Sequence, residues 1–132
     1  MTVRRLKTRP QFQAVLAGTV LAKTAHFALH GWAQDAPAQA LALFPERAVW
    51  LGAMVPKRWA KRAVTRNAIK RQIYAIGADF ESVLPQRAHV VRLRGAFDRA
   101  RFPSATSDAL KSLVRSELQQ LFSRSRTPVV AP

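Results

Sequence analysis

The chain has 132 residues and a formal net charge of +15, from 22 Lys and Arg against 7 Asp and Glu. This length predicts one domain spanning residues 1–132, and the 48% apolar content excludes a wholly disordered basic tail. The absence of cysteine excludes disulfides, thiolate zinc sites and a cysteine nucleophile.

The first predicted element is a short helix that begins after Thr8. Threonine is a favoured N-cap residue, and Pro10 falls in the first turn, where its missing N–H costs nothing. Phe12 and Leu16 follow four residues apart, on one apolar face of the helix. Gly18 is expected to end it.

Three short strands are predicted next, over residues 24–32, 41–44 and 49–55. Their period-two alternation and their turn residues favour strands over a buried helix. In the first of these strands, Ala28 and His30 point to the face opposite the apolar one. We expect the three strands to form an antiparallel meander.

A longer helix is predicted from about residue 60 to residue 76, with Gly77 ending it. One of its faces is largely apolar and the other carries a row of cations, so the helix turns one side to a core and shows the other to solvent. A fourth strand follows over residues 89–94, and a last helix starts after Ser104 or Ser107. The tail from about residue 123 is expected to fray.

The element order is therefore α-β-β-β-α-β-α. It predicts an α+β protein in which three helices lie on or beside one four-stranded mixed sheet.

Positive charge is concentrated in one segment, residues 57–71, which contains seven Lys or Arg and no acid. A solvated helix face normally interleaves acids with bases, so the cluster favours contacts with nucleic-acid phosphates over a plain solvated surface. Asn67, within it, is suited to contact a sugar or a base edge. The predicted RNA-binding residues are Lys57, Arg58, Lys61, Arg62, Arg66, Asn67, Lys70 and Arg71.

Aromatic residues flank this segment and also line a possible groove. Trp59 and Tyr74 are equally consistent with stacking on bases and with packing in the core. If the first helix lies across one end of the sheet, a groove forms between the helix and the strand face carrying Ala28 and His30. Aromatic lining and cationic walls suit a single-stranded segment.

The chain shows no catalytic apparatus of its own. Its seven acids form no motif suited to Mg²⁺ or Zn²⁺, and its five glycines are isolated, so no phosphate-binding loop is present. His26 and His30 would lie about 13 Å apart on a strand, too far to share a metal ion.

The motif Arg66-Asn67-Ala68-Ile69-Lys70-Arg71, preceded by two basic pairs, resembles that of the bacterial ribonuclease P protein component family. The first helix, two of the strands and the closing helix also fit, so the resemblance covers residues 4–122. It implies an α-β sandwich with a left-handed crossover. It further implies a protein subunit of an RNA-based endonuclease that removes 5′ leaders from precursor tRNA.

In that family the RNA subunit with Mg²⁺ is the catalyst, so the protein is a non-catalytic partner of ribonuclease P RNA and precursor tRNA. The resemblance assigns the basic residues listed above to contacts with the RNA subunit. It places Phe12, Leu16, Ala28 and His30 in a groove for the leader. The chain departs from the family at Ala68 and at Tyr74-Ala75, where Arg and Arg-Glu are frequent, and at Leu16, where an aromatic residue is frequent.

A stand-alone basic RNA-binding or ribosome-associated module is the alternative. Binding to a membrane surface is disfavoured, because the basic helix lacks the apolar wedge that such helices use. No run of about 18 uncharged apolar residues and no secretory signal are recognisable, so we expect a soluble, cytoplasmic protein.

Overall fold

The computed structural model describes residues 3–32, 43–44, 48–84, 87–97 and 108–126, without the side chains of residues 125 and 126. In chain order, its elements are β1 (Arg4–Arg5), α1 (Arg9–Leu16), β2 (Thr19–Lys23), β3 (Phe27–Gly31), β4 (Trp50–Met54), α2 (Ala63–Asp79), β5 (Ala88–Leu93) and α3 (Asp108–Arg126). Among the helices of these ranges, none combines the length and the apolarity needed to cross a bilayer.

The strands of the described residues form one mixed sheet in the order β1-β4-β5-β3-β2. The central strand, β5, pairs antiparallel with β3 and parallel with β4. At the edges, β2 pairs antiparallel with β3, and the two-residue β1 pairs parallel with β4. Five of the six residues of β5 are buried, as expected for a strand that is covered on both faces.

Helices cover both faces of this sheet. α2 and α3 pack against one face, where Leu118, Leu121 and Phe122 of α3 are fully buried. Burial of side chains of this size contributes roughly 1.5–3 kcal/mol each. α1 lies on the opposite face, where Val15 packs with Val90. The sheet with α2 and α3 makes the sandwich that the resemblance implies, and α1 is added on the far side.

The start of α1 is confirmed as predicted. The Thr8 hydroxyl accepts a hydrogen bond from the Gln11 backbone N–H at 3.3 Å, and Gln11 Oε1 accepts one from the Thr8 N–H at 3.1 Å. This reciprocal capping box satisfies two donors that a helix start otherwise leaves unpaired. The Gln11 amide also donates to the Leu43 carbonyl at 2.8 Å, which ties α1 to the chain that follows β3.

The predicted meander is wrong. β5 lies between β3 and β4, so the first and third predicted strands never pair with each other. In the predicted strand at 41–44, residues 41 and 42 lie outside the described residues, and Leu43 and Phe44 belong to no strand. Strand order depends on long-range pairing with the central strand β5, which local alternation does not reveal.

Two strands that the pattern did not predict, β1 and β2, lie at the edges of the sheet. β2 is exposed or half-buried along its length, and its register with β3 shifts between Val20 and Ala22. Both features remove the strict apolar-polar alternation by which a strand is recognised. In the part of the chain that the structure describes, the sheet therefore has five strands rather than four.

The helix ends also differ from the predicted ones. Gly77 lies inside α2, which runs on to Asp79, and a Cβ at this position would collide with the Leu51 side chain. Glycine therefore lets α2 approach β4 closely. α3 continues to Arg126, beyond the predicted onset of fraying at residue 123, and residues 127–132 lie outside the described residues. The connection through α2 joins β4 and β5, which are adjacent and parallel. That this crossover is left-handed, as the resemblance implies, stays a prediction.

Candidate nucleic-acid interface

α2 separates an apolar face from a charged one, as its sequence predicts. Ile69, Ile73 and Ile76 are buried in the core. On the other side and in the preceding loop, six of the predicted RNA-binding residues are exposed, and Arg66 and Lys70 are half-exposed. We call this set the cationic surface: Lys57, Arg58, Lys61, Arg62, Arg66, Asn67, Lys70 and Arg71.

The cationic surface lies at the unfavourable end of its helix. The N-terminus of α2 follows Arg62, whose side chain makes no capping hydrogen bond, and its first turn contains no acid. A cation near the positive end of a helix costs roughly 0.3–1 kcal/mol. Among the described residues, no carboxylate pairs with the cationic surface. A bound polyanion would relieve this repulsion.

Arg66 is partly engaged within the protein. Its Nη1 donates to the Ala60 carbonyl at 3.0 Å and to the Lys61 carbonyl at 2.7 Å. The side chain thus reaches back from α2 to the loop that carries the first four cations of the surface.

Trp59 and Tyr74, for which the sequence leaves two interpretations open, both pack against the main core. Each ring also has an arginine over it: the Arg58 guanidinium carbon lies 5.3 Å from the Trp59 ring centroid, and that of Arg5 lies 4.0 Å from the Tyr74 ring centroid. These contacts favour core packing over base stacking. They also bring Arg5 beside α2. Arg5 is a further cation near the site that the prediction missed, and the basic residues at the start of the chain are the signal that could have found it.

The predicted groove between α1 and the sheet is only partly as expected. Phe12 and Leu16 of α1 are half-buried. Ala28 is 0% exposed and His30 is 6% exposed. Both lie on the sheet face opposite Phe27 and Leu29, as predicted, but α1 packs on this face of β3 and β5 and buries them, so they do not present an open groove surface.

Arg92 of β5 is a cation on this face of the sheet. In register it lies between Ala28 and Met54, and its Nε donates to His30 Nε2 at 3.2 Å. Burial, and then the positive charges of Arg92 and Lys23, lower the pKa of His30, so His30 stays neutral and can accept this hydrogen bond. A charged residue inside an otherwise apolar strand is the sequence signal that would have identified Arg92.

The acids among the described residues do not form a Mg²⁺ site. Within the described ranges, no three His, Asp or Glu side chains come together as a metal-binding group. The buried acid Glu117 is already engaged by Thr24 and His26. Mg²⁺ prefers several oxygen ligands in octahedral geometry, which these residues do not offer.

Comparison with known families matches residues 2–122 to the family model described as Ribonuclease P. The chain belongs to the ribonuclease P protein family.

Known members of the family align with most of this chain. The ribonuclease P protein component of Ralstonia pickettii is 34% identical over 129 residues, which is 97% of this chain and 83% of that protein. The one of Bordetella parapertussis is 35% identical over 124 residues, 91% of this chain and 89% of that protein. A solved Staphylococcus aureus RNase P protein shares the fold, with a TM-score of 0.66 at 19% identity over 92% of this chain and 94% of that one.

Membership in the ribonuclease P family establishes the role that the motif predicts. The chain is a subunit of ribonuclease P, which matures the 5′ ends of tRNA, and its partners are ribonuclease P RNA and precursor tRNA.

Proposed function

We propose that the chain is the non-catalytic protein subunit of ribonuclease P and acts by binding, while the RNA subunit carries out the cleavage. The observation that carries this proposal is the cationic surface, in which seven Lys or Arg lie within residues 57–71 with no acid among them. Such a surface neutralises phosphates, and this lowers the repulsion between the RNA subunit and the substrate RNA.

The residues of the cationic surface would make different kinds of contact with the RNA. Arginine offers two parallel donors to a phosphate and lysine offers a compact charge, so both suit an RNA backbone. Asn67 is exposed beside them and would contact a sugar or a base edge. Together these residues would bind ribonuclease P RNA near its catalytic core.

The leader of precursor tRNA would bind along α1. Phe12 and Leu16 supply a half-exposed apolar wall, and Arg92 supplies a cation on the neighbouring sheet surface. Since Ala28 and His30 are buried, they would shape this groove from beneath, and His30 would hold Arg92 rather than touch the leader.

Mg²⁺ is needed by the reaction that we propose, and it would be held mainly by the RNA subunit and the substrate. Neutralising phosphates near the RNA would raise both substrate and Mg²⁺ affinity. We further propose that residues 1–132 form a single RNA-binding domain and that the protein works in the cytoplasm, where precursor tRNA is made.

The experiment that tests this proposal is reconstitution with ribonuclease P RNA at a Mg²⁺ concentration at which the RNA alone is barely active. The wild-type chain should stimulate leader removal. The double variant Lys70→Gln/Arg71→Gln should stimulate less, whereas Arg115→Gln, an exposed arginine of α3, should behave as wild type.

The alternative, a stand-alone or ribosome-associated RNA-binding module, makes a different prediction for the same assay. Such a module would bind ribonuclease P RNA no better than an unrelated structured RNA and would not stimulate cleavage. That outcome would contradict the proposal.

A further inference from the structure

The Arg66 side chain connects the start of α2 to the loop before it. Its Nη1 bridges two successive carbonyls, those of Ala60 at 3.0 Å and Lys61 at 2.7 Å. These carbonyls belong to residues six and five positions earlier in the chain, so the bonds are not part of the helical pattern. One nitrogen of the guanidinium thus fixes two consecutive peptide groups.

The loop that Arg66 holds, residues 57–62, contains four of the seven cations of the cationic surface. It folds as a turn in which the N–H groups of Trp59 and Ala60 both donate to the Pro56 carbonyl, each at 3.1 Å. Its charges are Lys57, Arg58, Lys61 and Arg62. Four like charges within six residues repel one another, and Arg62 provides no cap for α2. Bonds that fix the loop therefore decide where its charges point.

We propose that Arg66 is a positioning residue, which holds the loop 57–62 so that its four cations and those of α2 form a single RNA-binding surface. This inference rests on the proposed function. A planar guanidinium has donors in a fixed fork and keeps its charge, whereas a lysine ammonium is a compact, mobile and strongly hydrated donor. An arginine at position 66 therefore suits the role of holding the loop in place, in addition to supplying a positive charge.

A double-mutant cycle tests the proposal, with binding of ribonuclease P RNA by the full-length chain as the readout. One variant, termed loop-neutral, carries Lys57→Gln, Arg58→Gln, Lys61→Gln and Arg62→Gln. Arg66→Gln is then added to the wild type and to the loop-neutral variant. Arg71→Gln, which removes one exposed cation of the same helix, is the matched control in both backgrounds.

If Arg66 acts through the loop, Arg66→Gln weakens binding by about tenfold or more in the wild type, as expected for loss of charge-assisted hydrogen bonds. In the loop-neutral background only the direct contact of the Arg66 charge remains to be lost, so Arg66→Gln weakens binding there by no more than Arg71→Gln does, to within about twofold. Arg71→Gln should cost the same in both backgrounds. Arg66→Lys, which keeps the charge, should not restore wild-type binding.

Amide hydrogen exchange of the free protein supplies a readout that does not depend on RNA. In Arg66→Gln, the amides of Trp59 and Ala60 should exchange faster by roughly tenfold, while the amides of β5 keep their wild-type rates. The control Arg71→Gln should leave all of these rates unchanged.

The outcomes separate this inference from the function on which it rests. Equal losses for Arg66→Gln in both backgrounds, or full rescue by Arg66→Lys, would mean that Arg66 acts by its charge alone and would overturn the inference only. A loop-neutral variant that binds ribonuclease P RNA as tightly as the wild type would overturn the proposed function as well.

Discussion

Glu117 is a buried acid that ties α3 to the turn between β2 and β3. It accepts a hydrogen bond from the Thr24 hydroxyl at 2.6 Å, one from the His26 backbone N–H, and one from His26 Nδ1 at 2.9 Å. The His26 ring in turn stacks on Phe97 with the centroids 4.0 Å apart. A carboxylate with this many donors is stabilised in the interior, and its donors depend on it.

Replacing Glu117 by alanine should therefore lower the free energy of unfolding by about 2–4 kcal/mol, because buried donors lose their acceptor. Glu117→Gln, which keeps one acceptor oxygen, should cost less. Urea denaturation measures both variants. If Glu117→Ala unfolds at the wild-type urea concentration, this carboxylate does not hold α3 in place.

His89 of β5 is fully buried, and burial lowers its pKa from 6.5 to about 4. Its Nδ1 lies 3.4 Å from the Trp50 carbonyl, so the neutral ring donates there, and its Nε2 has no hydrogen-bond partner. Charging this ring would place a buried cation whose Nε2–H has no acceptor.

This residue should make stability depend on pH. Between pH 6.5 and about 4, the unfolded chain binds a proton at this histidine that the folded chain does not. The free energy of unfolding should therefore be at its full value above pH 6.5 and fall by up to ~3 kcal/mol as the pH drops to 4.

Denaturant titrations of the wild type and of His89→Leu at several pH values measure this effect. The variant should show a shallower decline, with the remainder due in part to His30, whose pKa is also lowered. Identical pH profiles would show that His89 is not the responsible group.

At the level of elements, α1 can approach the sheet because β4 has a glycine, Gly52, at the position that α1 covers. A Cβ on Gly52 would lie 2.6 Å from Phe12 Cε1 and 3.1 Å from Leu6 Cδ2. The first distance is shorter than Cβ contacts in real proteins and the second is tighter than most, so glycine at this position allows Phe12 to lie over the strand. The wall of the proposed leader groove thus depends on β4.

Gly52→Ala should displace Phe12 and destabilise the protein by about 1–3 kcal/mol, as overpacking of a core does. It should weaken binding of precursor tRNA with a long leader more than binding of ribonuclease P RNA. Gly95→Ala is the control, because its added Cβ would meet nothing closer than the Ala25 carbonyl oxygen at 3.9 Å. Equal effects of the two substitutions on leader binding would contradict this account of α1.

The elements that could be predicted are those whose signals are local. The Thr8 cap and the period of α2 and α3 identify the helices, and alternation identifies β3, β4 and β5. The order of the strands could not be predicted, because it depends on which partners β5 finds on either side. Inclusion of Gly77 in α2 could not be predicted either, since its contact with Leu51 comes from a distant strand.

The same distinction holds for the candidate site. The cationic surface follows from residue types and helical spacing, both of which are present in the sequence. The burial of Ala28 and His30 depends on where α1 lies, and the contact of Arg5 with Tyr74 depends on β1 pairing with β4. Sequence spacing carries no information on either arrangement.

At the level of the whole molecule, the net charge of +15 is organised rather than spread evenly. Seven cations project from one loop and one helix face, which the core holds from the other side through Ile69, Ile73 and Ile76. The fold thus concentrates positive charge on one surface, and the RNA partner supplies the negative charge that balances it.

The most direct test of this account is the salt dependence of binding to ribonuclease P RNA. If the seven cations each neutralise one phosphate, the slope of log affinity against log salt should be about −5 to −6, a loss of roughly 10³-fold or more between 50 and 200 mM salt. A variant with all seven changed to Gln should show a nearly flat response. A nearly flat response in the wild-type chain would contradict the claim that the cationic surface binds RNA.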